Sequence, residues 1–117
     1  MKRFAVAATV VALLVLPRVA DSATIAIMQV LNYPANYDGK HVSVSGTVRH
    51  LQHKTASDGA AWVTFGLCAS ACINVFTGGS PQLREGRVIL VRGTFAAEKH
   101  FNGYTFRDAI HADPGSL

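Results

Sequence analysis

From Val42 to Val48 the chain alternates: Val42, Val44 and Val48 fall on one side of an extended backbone, Ser43, Ser45 and Thr47 on the other. That period of two predicts a half-buried strand. A second alternation, covering residues 62 to 76, also predicts its own register. If Ala69 to Ala71 form a loop, Cys68 faces Cys72, Leu67 faces Ile73 and Phe65 faces Val75. Val63, Phe65, Leu67, Ile73 and Val75 then share one wholly apolar face. Trp62, Thr64, Gly66, Asn74 and Phe76 share the other face with the two cysteines. A slip of one residue would mix the faces, so the pattern selects this pairing. Further along, Asn102-Gly103 is a two-residue hairpin signal. It pairs Phe101 with Tyr104, Glu98 with Arg107 and Phe95 with Ile110.

One phrase occurs twice, forty-seven residues apart: Gly39-Lys40-His41-Val42-Ser43-Val44-Ser45-Gly46-Thr47-Val48 returns as Gly86-Arg87-Val88-Ile89-Leu90-Val91-Arg92-Gly93-Thr94-Phe95. Each copy carries a glycine in mid-strand, where a strand bends or bulges. Two bent strands in so short a chain predict a small closed barrel, because its strands must coil sharply to meet. Thr24 is expected to cap a short helix through Ile25, Ile27, Met28, Val30 and Leu31, ending before Pro34. Asn36 to Gly39 reads as a turn and residues 52 to 60 as a polar loop. Ser80, Pro81 and Gly86 suit an N-cap, a first helical position and the residue after a last turn, which predicts a one-turn helix. The expected fold is all-β: a five-stranded Greek-key barrel with a short N-terminal helix and a one-turn helix between strands three and four.

The first residues change the charge. Lys2 and Arg3 precede a predominantly apolar stretch from Phe4 to Leu16, then Pro17 and the small residues Ala20-Asp21-Ser22. This predicts a signal peptide over residues 1–22 and a single domain over 23–117 in a periplasmic or secreted protein. The stretch is short for a membrane span, which needs about 20 apolar residues. Lys2, Arg3, Arg18 and Asp21 leave with the leader, so eleven basic and seven acidic residues become eight and six, and the net charge falls from +4 to +2. Half of the net positive charge that hints at nucleic acid therefore belongs to targeting. Export also favours a Cys68–Cys72 disulfide.

With these elements placed, the chain resembles the OB-fold, specifically small exported bacterial domains similar to the tRNA-anticodon-binding type. The likeness is carried by Tyr37-Asp38-Gly39-Lys40, Val42-x-Val44-x-Gly46-Thr47-Val48, Leu83-x-x-Gly86, Val88-x-Leu90-Val91-x-Gly93-x-Phe95 and Ala109-Ile110-His111-Ala112. It departs where the usual helix between the third and fourth strands shrinks to a turn. The resemblance implies binding on the outer face of strands two and three, flanked by the loops joining strands one to two and four to five.

On this chain that face offers Trp62 and Phe76. The first loop offers Arg49, His50, His53 and Lys54, and the last hairpin offers Lys99, His100 and Phe101. Aromatics among basic groups make a platform for bases, sugars or peptide side chains. The alternative is that Trp62 and Phe76 pack beneath the N-terminal helix, since large aromatics in a small domain usually serve the core. No metal site is expected: His50 and His53 would point to opposite faces of a strand, and a fourth ligand is missing. Cys68-x-x-x-Cys72 reads as a staple, because the redox motif has two intervening residues at a helix N-terminus. No motif assembles a nucleophile, base and orienting acid, so no enzyme and no cofactor are expected. The expected function is a binding module for a protein, peptide, glycan or oligonucleotide in the cell envelope. The rival is a haem or metal carrier using His111 or the His50, His53 and His100 group. That rival is similar to the periplasmic haem chaperone of cytochrome c maturation in Leu83-Arg84-Glu85-Gly86, Val91-x-Gly93 and His111-Ala112-Asp113.

Overall fold

The alternating valines seed β1 (His41–Thr55), in which Val42, Val44 and Val48 are buried. The computed structural model describes residues 24–117; the proposed leader and its cleavage point lie outside the described residues. Four more strands follow: β2 (Ala61–Cys68), β3 (Cys72–Gly78), β4 (Val88–Phe101) and β5 (Tyr104–Ala112). They close into a ring in the order β1-β2-β3-β5-β4. All neighbours run antiparallel except β3 and β5, which pair in parallel through Asn74–Ala109, Val75–Ile110 and Phe76–His111.

The two copies of the repeated phrase pair with each other. Val44 faces Val91, its own counterpart in the repeat, and the flanking pairs fall symmetrically, with Gly46 opposite Ile89 and Val42 opposite Gly93. The backbones of β1 and β4 are thus related by a local two-fold axis at the Val44–Val91 pair. Each mid-strand glycine lets the strand on its far side come close. A Cβ on Gly46 would sit 2.8 Å from the Cys68 carbonyl oxygen of β2, and one on Gly93 would collide with the His111 carbonyl and Ala112 Cα of β5. A side chain at either position would push the ring open.

Inside the ring, Val42, Val44, Val48, Phe65, Leu67, Ile73, Val75, Val91, Phe95, Ile110 and Ala112 form the main core, joined by Ile27 and Val30 of helix α1 (Ile27–Asn32). The β2–β3 register matches the expectation, including Cys68 opposite Cys72, and the two cysteines form a disulfide. The β4–β5 register does so too, and Asn102 and Gly103 take the positive φ values of 50° and 82° that such a turn requires.

Four expectations need correction. Thr24 does not cap α1: the chain enters through Ala26, and the Ile25 N–H instead donates to the Ser43 carbonyl of β1. Asn36 belongs to a second short helix, α2 (Pro34–Tyr37), opened by a proline in the first turn, and only the residues after it turn. The polar stretch 52–55 is strand, not loop; beyond a bulge between Arg49 and Gln52, β1 continues and pairs with β2 alone. No helix forms between β3 and β4. A single turn would fix several residues for one hydrogen bond, and three of the segment's polar groups go to β1 instead. Gly86 N–H donates to the Val48 carbonyl, Val48 N–H donates to the Arg87 carbonyl, and Glu85 accepts the Leu51 N–H at 2.6 Å.

Candidate functional site

Trp62 and Phe76 occupy the outer side of β2 and β3, as their parity requires, yet both are buried, at 2% and 0% exposure. Their cover is not the N-terminal helix. With Ala109 they form a second apolar cluster outside the ring, against Ala56, Phe101 and Phe106. The β4–β5 hairpin supplies that cover. From Glu98–Arg107 to Phe101–Tyr104 its two strands pair only with each other, forming an arm beyond the ring. Neither an open platform nor a helix-covered face is present; the arm folds over the aromatics.

The rings interlock. The Trp62 centroid lies 5.2 Å from that of Phe101 and 5.3 Å from that of Tyr104, both edge to face, and Phe76 stacks on Phe106 at 4.6 Å. His111 also stacks on Phe76, at 4.7 Å, and lies 5.3 Å from Phe101. Edge-to-face and offset pairs suit the ring quadrupole and add to the burial of their area. Lys54, opposite Trp62 across β1 and β2, holds its Nζ 4.7 Å from the Tyr104 ring centroid and 5.9 Å from that of Trp62. The Lys54 Nζ also donates to the Tyr104 hydroxyl at 3.5 Å, a long contact for a hydrogen bond. Trp62 Nε1 is fully buried and finds no acceptor among the described residues. A buried donor without a partner is costly.

Electrostatics single out His111. Burial pushes its pKa below the ordinary 6.5, the nearby Lys99 ammonium pushes it the same way, and Asp113 opposes both. A cavity of about 410 Å³ at the base of the arm is lined by Asp38, Gly39, Thr94, Phe95, Ala96, Glu98, Lys99 and His111. Asp38 ties that base by accepting the Ala97 N–H at 2.8 Å, and Asp108, which follows Arg107 at the root of the arm, has φ 48°.

Of the residues chosen from sequence, Lys54, Trp62, Phe76 and Phe101 are gathered here. Lys99 lines the neighbouring cavity, and His100 is exposed, its Nδ1 3.0 Å from Thr105 Oγ1 and its Nε2 3.6 Å from Glu98. Arg49 borders the β1 bulge and His50 lies within it at φ 54°, while His53 lies exposed opposite Val63. His50, His53 and His100 do not form a group of three metal-ligating side chains among the described residues. Tyr104, Phe106 and His111 complete the cluster, beyond the residues the sequence pattern assigns to this face. Their signal was the spacing of two between Tyr104 and Phe106, which puts both rings on one side of β5.

The carboxylates around the ring serve structure: Asp58 accepts the Ala60 N–H, Glu98 pairs with Arg107 at 2.9 Å, and Asp113 pairs with His41 at 2.6 Å. No described helix is long and apolar enough to cross a membrane. Comparison with protein-family models, curated proteins and solved structures finds no match to this chain.

Proposed function

We propose that the chain is an exported OB-fold domain acting as a binding module, with a protein or peptide of the cell envelope as partner. The ring order β1-β2-β3-β5-β4, with its single parallel β3–β5 pair, supports the fold assignment. The observation that carries the function is the concentration of Trp62, Phe76, Phe101, Tyr104, Phe106 and His111 with Lys54 on the outer face of β2, β3 and β5. Such a face recognises aromatic and planar groups. A polypeptide fits better than nucleic acid because the net charge without the leader is only +2. The structural use of the carboxylates supports a binder over an enzyme.

The test is an amide-shift titration of the ¹⁵N-labelled protein with three probes: an aromatic-rich peptide, a chitooligosaccharide and oligothymidylate. Saturable shifts are expected with the peptide at residues 53–56 and 99–106 and at Trp62. Shifts confined to residues 82–90, or none with any of the three, would remove the proposed face from consideration.

A further inference from the structure

We propose that the β4–β5 arm is a displaceable internal ligand: Phe101 and Tyr104 occupy the Trp62–Phe76 face in the free protein, and an aromatic side chain of a partner polypeptide takes their place. This rests on the binding-module reading and adds what the face accepts and what controls it.

Three observations point the same way. First, the arm is structurally separable. In the strand ladder Glu98 to Arg107 pair only with each other, their one bond to β3 among the described residues being from Asn74 Nδ2 to the Arg107 carbonyl at 3.4 Å, and the cluster they cover is distinct from the core inside the ring. Lifting the arm removes nothing from Val44, Val91, Phe95 or Ile110. Second, the cover is incomplete as chemistry. Phe101 and Tyr104 bring rings to Trp62, but nothing described accepts the indole N–H. A partner backbone carbonyl beside an inserted aromatic ring would supply that acceptor, which the arm does not. Third, the cover is loosely held at its tip. Tyr104 remains 48% exposed, and its one polar tie to the first hairpin is the 3.5 Å contact with Lys54. Arm and partner therefore compete for one face, the arm setting the affinity by the cost of its displacement.

The face already shows its preference, since the occupant it holds is polypeptide carrying aromatic side chains two and three residues apart. A peptide of residues 98–107, supplied in trans, is thus the natural probe. In the disulfide-intact protein, the F101A/Y104A double variant is expected to move the emission of Trp62, the only tryptophan, to longer wavelength. The arm peptide should restore the original emission saturably and shift the single indole N–H resonance. The same peptide with alanine at both aromatic positions should bind at least about tenfold more weakly. Unchanged emission in a folded double variant overturns the proposal, as does restoration by oligothymidylate but not by the peptide. A peptide that binds the unaltered protein while Trp62 stays silent leaves the binding module standing and sinks the displaceable arm alone. Hydrogen exchange on the unaltered protein guards against a variant that does not fold. Amides of residues 98–107 should open while those of residues 42–48 and 88–94 stay protected, and uniform protection contradicts the proposal.

Discussion

Two residues, Gly93 and His111, make the sharpest demands on their surroundings. A Cβ at Gly93 would meet backbone, which has no rotamer to yield. Gly93→Ala is therefore expected to destabilise by about 2 kcal/mol or more, within the range seen for overpacking, and more than Gly46→Ala, whose nearest contact is a single carbonyl oxygen at 2.8 Å. Thermal melts of the two variants check the order. His111 gives a pH dependence. Its pKa is depressed by burial and by Lys99, so the unfolded chain binds more protons than the folded one just below pH 6.5. Folding stability should then be intact above that value and fall as pH drops through the folded pKa. Melts of the wild type and of His111→Gln between pH 7.5 and about pH 5 test this; a variant losing stability as steeply as the wild type over that window contradicts the assignment.

At the scale of elements, hairpins were readable and their extensions were not. The β2–β3 register followed from the parity of Phe65, Leu67, Ile73 and Val75, and the β4–β5 register from Asn102-Gly103, because both signals are local. Residues 52–55 carry no strand pattern in sequence because beyond the bulge they pair on one side only and need no apolar parity. The missing turn of helix after Ser80 had good capping residues, but its backbone partners lie in β1, more than thirty residues away in sequence. The Cys68–Cys72 bridge closes a five-residue loop, for which chain entropy suggests about 2 kcal/mol. Reduction should lower the unfolding free energy by that order without changing the strand content seen by circular dichroism. The arm is held to the ring by five aromatic pairs, three on Trp62 and two on Phe76, at roughly 0.5–1.5 kcal/mol each beyond the burial of their area.

For the molecule as a whole, the ring determines where the chemistry lies. Closing β3 onto β5 in parallel brings Phe76 against His111 and Phe106, residues thirty or more positions distant, and this contact carries the candidate face. The sequence suggested that face through Trp62 and Phe76 but not that the last hairpin would cover it, since a cover made by long-range pairing leaves no local pattern. The repeated phrase did reveal the closure itself, because the two glycine-bearing strands are each other's partners. That pairing closes the ring: without it β4 and β5 would be held to the rest of the sheet only through the β3–β5 pairs. The most direct measurement is a set of cross-strand nuclear Overhauser contacts in the folded protein. Backbone contacts are expected between Val44 and Val91, between Val42 and Gly93, and between Gly46 and Ile89. Helical chemical shifts in either stretch, or contacts pairing those residues with other strands, would contradict the closed ring and the face built on it.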